Sequence, residues 1–182
     1  MSILEAKKEV TKFGDITSRM IGFLRTAINT GDKKLKQKMY EKIAKYEEIT
    51  DRVEIEISDY LGKASQEEMS EDAAMQMRAM LNVVTDLERI GDVFYQISKM
   101  LAKKQIDKVW FTPDQRDGLN KLIDLLETAF NIMNSNLNME YKNVSMEEAI
   151  EIEEQINKTR NKLRKKHLKN VGSEETNIAA SL

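Results

Sequence analysis

The chain has no cysteine, one histidine, one proline and only seven glycines among its 182 residues. Without cysteine there is neither a disulfide framework nor a thiolate metal site. A single histidine, His167, excludes the paired Glu-x-x-His motifs of a carboxylate di-iron bundle. It also leaves nucleophilic catalysis without an assembled base and nucleophile, so the chain reads as a non-enzyme. Few turn formers argue against an all-β domain. Neither sign of charge dominates: 29 Lys+Arg stand against 31 Asp+Glu. That balance argues against nucleic acid as a partner. No Gly-rich phosphate loop occurs, and no run approaches the ~18 apolar residues of a membrane span. The start, Met1 to Lys7, lacks the apolar core of a secretory signal.

What is present is helical. Apolar residues make up 41% of the chain and charged ones 33%, a mixture suited to long amphipathic helices. Ile3, Ala6, Val10, Phe13, Thr17, Met20, Leu24 and Ala27 recur at steps of three and four, which places them on one helical stripe. Gly31 is expected to close that helix in the left-handed conformation, and Asp32 to cap the next. The second stripe runs through Leu35, Met39, Ile43, Tyr46, Thr50, Val53, Ile57 and Tyr60, with Gly62 as its stop. Ser65 to Glu68 reads as a capping box for one short turn. Ser70 then caps a third helix, from about residue 71 to 104, whose stripe is Val83, Leu87, Ile90, Phe94, Ile97 and Leu101. Met77, Leu81, Val84 and Tyr95 make it apolar on a second side, so it should lie between neighbours. Its methionines suit core filling more than a ligand groove.

Thr112-Pro113-Asp114-Gln115 is a strong helix start. The fourth stripe is Leu119, Ile123, Leu126, Phe130, Met133 and Leu137. An Asn-rich stretch over 134–143 should loosen the chain before Ser145 to Glu148 boxes a fifth helix, with Ile152, Ile156, Thr159 and Leu163 inward. The Trp110-Phe111 pair reads as a plug for one end of the bundle, with ligand binding as the sharper alternative. The fold class is thus all-α, an up-down antiparallel helix bundle.

A single offset of about 106 residues maps Phe13, Thr17, Met20, Leu24 and Ala27 onto Leu119, Ile123, Leu126, Phe130 and Met133. The same offset maps Tyr46, Thr50, Val53 and Ile57 onto Ile152, Ile156, Thr159 and Leu163. The repeat divides the chain into a complete three-helix unit, 1–108, and an incomplete second unit, 109–182. The third helix of that second unit should begin near residue 176, so the sequence reads as part of a longer protein.

Two acidic motifs stand out, Glu47-Glu48-Ile49-Thr50-Asp51 and Glu88-Arg89-Ile90-Gly91-Asp92. In each, a Glu and an Asp four residues apart project from one face of a helix, where like charges repel by a few tenths of a kcal/mol. An antiparallel pairing about a turn near residues 62–70 sets the two motifs level to within roughly two helical turns, or ~10 Å. Oxygen ligands from neighbouring helices can share a hard cation, and an ordinary solvated face accounts for the same spacing. The candidate ligands are Glu47, Asp51, Glu88 and Asp92, with Glu48 and Asp15 as auxiliaries. Asp15 falls at the same height on the first helix. A second charged feature runs through Lys158, Arg160, Lys162, Arg164, Lys165, Lys166 and Lys169 without an acid among them. It suits a solvated helix end, with His167 near the helix C-terminus, or a face toward an anionic membrane.

The string Asp86-Leu87-Glu88-Arg89-Ile90-Gly91-Asp92, late in a long third helix, resembles the signature of PhoU-type phosphate-transport regulators. Glu47 to Asp51 is similar to the partner motif on the preceding helix. The resemblance implies a noncatalytic regulator built from three-helix units. It implies a divalent or ferric metal ion held by Glu47, Asp51, Glu88 and Asp92. In the second unit Asn157 stands where Asp51 stands in the first, opposite Glu153, which weakens any carboxylate pair there. The style of the chain is closer to the soluble PhoU-like domain of bacterial sodium/phosphate cotransporters than to a free-standing regulator of a phosphate ABC transporter. The resemblance therefore implies a cytoplasmic location at the inner membrane. The implied partners are the transporter membrane domain or phosphate-transport complex, and a second copy of the chain as a homo-oligomer. A plain helical interaction module is the bland alternative.

Overall fold

The computed structural model describes residues 3–65 and 69–171, with only the backbone at Val171. Five long helices follow one another: α1 (Ile3–Asn29), α2 (Lys33–Ala64), α3 (Glu71–Ile106), α4 (Pro113–Asn138) and α5 (Glu147–Val171). A 3-10 turn, Tyr141–Asn143, joins the last two. Among the described residues there is no strand, and no helix is long and apolar enough to cross a membrane. The all-α bundle expected from the periodicity is what forms.

Helix α1 is the axis of the molecule. It packs against α2, α3 and α4, while α2 also packs on α3 and α5 has α4 as its main neighbour. The α1 stripe from Ala6 through Ala27 is buried as its spacing predicts, with only Ile3 half-exposed. Burying a whole face of α1 at the centre is what lets three helices share one core. Thr17 is fully buried on this stripe, and its hydroxyl donates to the Phe13 carbonyl at 3.1 Å, so its polar atom is not stranded. On the α4 side the contact is partly polar. Arg25 reaches Asp124 at 2.6 Å and Glu127 at 2.9 Å, and Asn29 exchanges amide hydrogen bonds with Asn120.

The helix starts are those the sequence announces. Asp32 accepts from the Lys34 and Leu35 N–H groups, Ser70 from Ala73, and Thr112 with Gln115 completes a reciprocal capping box. The helix ends depart from expectation. Gly31 does not adopt a left-handed conformation, and the positive φ belongs to Lys108 instead, at 57°. Gly62 does not stop α2, which continues to Ala64 because glycine is tolerated inside a helix whose neighbouring turns are packed. Ser65 caps the C-terminal end of α2, and the rest of the box expected over 65–68 lies outside the described residues, as does a helix start near 176.

The deepest line of α3 is Met77, Met80, Val84, Leu87, Gly91, Phe94 and Ser98. It runs between the two expected apolar sides, because α1 and α2 grip α3 from both. Met77 and Met80 fill core space, while Met75 and Met100 are exposed. The Trp110-Phe111 plug is corrected: Trp110 is 54% exposed and cannot seal the bundle end. The Asn-rich stretch stays helical as far as Asn138. On α5, Ile152 is buried, but Ile156, Thr159 and Leu163 are only half-buried. With little besides α4 beside it, α5 leaves an apolar groove of about 520 Å³ lined by Met80, Val83, Met133, Leu137, Met146 and Ile152.

Candidate metal centre

The two acidic motifs are brought together by the residues that precede their aspartates. Thr50 on α2 is fully buried, and Gly91 on α3 is buried against it. A Cβ placed on Gly91 would lie 2.9 Å from Thr50 Oγ1 and 3.4 Å from Thr50 Cβ and Cγ2. Only the missing side chain allows the helices to approach this closely. The Thr50 hydroxyl is held in place, donating to the Glu47 carbonyl at 2.8 Å. Because Asp51 and Asp92 each follow a contact residue, the close approach carries both carboxylates to the same rim of the α2–α3 seam.

Carboxylate oxygens of Glu47, Asp51 and Asp92 lie within 4.8 Å of one another. None of the three is buried. Glu88, one turn before Asp92, is outside this trio but on the same face. Burial raises its pKa first, and the negative charges of Asp92, Asp51 and Glu54 raise it further. Glu47 is raised in the same way, by burial and then by Asp51 and Asp92, with Lys99 opposing. Asp51 is raised by burial and by Asp92. Among the described residues, none of the four carboxylates is in a salt bridge. Their neighbours are mainly each other.

Two auxiliary candidates fare differently. Glu48 is exposed and reaches the site only as a charge felt by Glu47. Asp15 is not at the site. Its Oδ1 accepts from the Asn134 amide at 3.1 Å, because Gly14 packs directly on α4 and swings that flank of α1 away from the α2–α3 seam. Glu54 belongs to the acidic face and was not among the candidates. It lies seven residues after Glu47, two turns along the same face, which is the signal that could have found it. Lys99 repeats that spacing after Asp92 and sets a cation at the other end.

The donor set suits a hard cation: three carboxylates, no sulfur, no imidazole, and mutual repulsion that Lys99 offsets only in part. When bound, such an ion supplies positive charge. The chain's contribution is the rigid seam that holds the oxygens near one another.

The raised pKa values fix the sign of a pH effect. The folded protein holds protons on Glu47, Asp51 and Glu88 more tightly than the unfolded chain does. These groups therefore withhold stability at neutral pH and return it as pH falls toward their ordinary values of 4.5 and 3.8. In the presence of a chelator, Asp51→Asn is expected to melt higher than the parent at neutral pH. The advantage should vanish once both are acidified below those values. Calorimetry across the range measures it, and a lower melting point for the variant at neutral pH would contradict the repulsion.

A family model described as the PhoU domain matches residues 10–101, half of the chain. The match runs from α1 to near the end of α3 and contains both acidic motifs. The protein belongs to the PhoU domain family. No curated protein and no solved structure matches the chain.

Proposed function

We propose that the chain is a noncatalytic regulatory domain of an inorganic-phosphate transport system, acting through a cation held on the α2–α3 face. The observation that carries this reading is the convergence of Glu47, Asp51 and Asp92 oxygens within 4.8 Å. Family membership supplies the phosphate-transport context. With a divalent or ferric ion in place, Glu47, Asp51, Glu88 and Asp92 no longer repel one another. The face then loses about half or more of the negative charge of these four groups and becomes easier for a transporter or a second copy to cover.

Within that function, the domain is the cytoplasmic part of a sodium/phosphate cotransporter, with residues 1–108 as its first repeat unit and 109–182 as its second. What supports membrane proximity is α5. Lys158, Arg160, Lys162, Arg164, Lys165, Lys166 and Lys169 are all exposed, and among the described residues the one ion pair they form joins Lys166 to Asp114. Such a run is attracted to anionic lipid.

The test is genetic and biochemical together. In cells lacking the gene, the wild-type gene is expected to restore phosphate-responsive uptake and its product to sediment with membranes. The Asp51→Asn/Asp92→Asn variant is expected to be made at the same level and to lose the response. Normal phosphate control in that variant would overturn the regulatory role of the acidic face. A product found only in the soluble fraction would replace the cotransporter with a free-standing regulator.

A further inference from the structure

At one end of the bundle, the α1–α2 turn meets the α3–α4 connection around a pocket of about 330 Å³. Lys36 of α2, Lys104 of α3 and Arg116 of α4 line it, and no carboxylate is among the described residues of its wall. Three helices thus contribute one cation each. Two of them sit where helix stability disfavours them: Lys36 and Arg116 are each the fourth residue of a helix, near the positive end of its dipole. The acids at these two helix starts are engaged elsewhere and do not line the pocket: Asp32 accepts from the Lys34 and Leu35 N–H groups, and Asp114 pairs with Lys166.

The strain shows on Lys36. Burial lowers its pKa, and the charge that acts on it is Arg116, which lowers it further. Its ammonium group lies 5.0 Å from the Trp110 ring centroid, and that of Lys104 lies 5.2 Å from Phe111. The aromatic pair therefore holds two of the cations at the pocket rather than closing the bundle. Gln105, also in the wall, has a buried Oε1 with no hydrogen-bond partner. Lys36 and Arg116, with no carboxylate in the pocket wall to balance them, stand beside an unpaired buried acceptor, and together they suit a ligand that carries both negative charge and a hydroxyl.

We infer that this pocket binds the phosphoryl group of a small anion, with Lys36, Lys104 and Arg116 on the phosphoryl oxygens and Gln105 Oε1 accepting from a ligand O–H. Guanidinium and ammonium groups together are the usual protein answer to phosphoryl oxygens. The volume is in the range of small-molecule pockets, larger than a bare tetrahedral anion needs, so the apolar wall of Leu101 and Phe111 suits an organic remainder. This inference is independent of the acidic face.

Trp110 is the single tryptophan, so its fluorescence reports on the pocket directly. The full chain is titrated with adenosine 5′-monophosphate, with inorganic phosphate and with adenosine, each also followed by calorimetry. A saturable response to the nucleotide or to phosphate, weakened about tenfold in Arg116→Gln and in Lys36→Gln, is the expected result. Tighter binding of the nucleotide identifies an organic phosphate as the ligand class, and equal binding identifies free phosphate. Adenosine binding as well as its phosphate, no response to either anion, or full affinity retained in both variants would overturn the assignment.

Discussion

Adding a divalent cation at about a hundredfold excess over its dissociation constant is expected to raise the melting temperature by roughly 5–10 °C. Ligation to the folded state alone contributes about 2.7 kcal/mol at that excess, and each kcal/mol moves the midpoint of a chain this long by roughly 2–4 °C. The physical source is the relief of a repulsion present in the folded state and absent from the unfolded one. Asp51→Asn/Asp92→Asn removes two of three converging carboxylates and should abolish the rise. Glu88→Gln lies one turn outside the trio and should only reduce it. Sodium at matched ionic strength provides the control, because general screening affects all exposed acids alike. Equal rises in the parent and the double variant would show that the cation acts elsewhere.

The second large effect belongs to Gly91. Gly91→Leu is expected to destabilise the protein by about 3 kcal/mol, at the upper end of the usual cost of overpacking. The added Cβ meets Thr50 Oγ1 at 2.9 Å. That oxygen cannot retreat freely, since it belongs to a fully buried side chain bonded to the Glu47 carbonyl. Gly91→Ala adds the same Cβ but gains up to ~1 kcal/mol of helix propensity, so its net loss is smaller. Combining Gly91→Ala with Thr50→Ala removes the hydroxyl and methyl groups that the new Cβ meets and should recover most of it. Because the same contact sets the spacing of Asp51 and Asp92, Gly91→Leu should also weaken cation binding. Urea unfolding and metal titration on the same samples measure both. A Gly91→Leu variant as stable as the parent would mean that the helices do not touch at this point.

Much of the bundle was legible because one-face helices announce themselves through their spacing. The α1 stripe from Ala6 to Ala27 and the caps at Asp32, Ser70 and Thr112 all stand as the pattern predicts. Helix ends were harder to read. Gly31 and Gly62 carry the right residue type for a stop, but a glycine takes a left-handed conformation only where the chain must turn that way, and here Lys108 does so. On α3, Leu87 and Phe94 are buried as the stripe predicts, but Val84, Gly91 and Ser98 lie deeper than Val83, Ile90 and Ile97, because a helix held by two partners buries the line between its apolar sides. Half-burial of Ile156 and Leu163 was invisible in a pattern that records hydrophobicity and not the presence of a neighbour.

At the acidic face, the residue types and their matched height were readable, and the direction of each flank was not. Asp15 shares the height of the motifs but turns to Asn134, since α1 presents that side to α4. The role of Gly91 within its own motif was also hidden. A glycine before an aspartate looks like a spacer until the buried Thr50 opposite it is known. The basic pocket was beyond reach, because Lys36, Lys104 and Arg116 are far apart in sequence and only the folded connections gather them.

Anomalous diffraction at the absorption edge of manganese, from crystals soaked in a manganese salt, examines the shared cation most directly. The expected map has a peak between the carboxylates of Glu47, Asp51 and Asp92 that disappears in Asp51→Asn/Asp92→Asn. Density confined to other acidic clusters, with nothing between these three, would contradict a metal-holding face on α2 and α3.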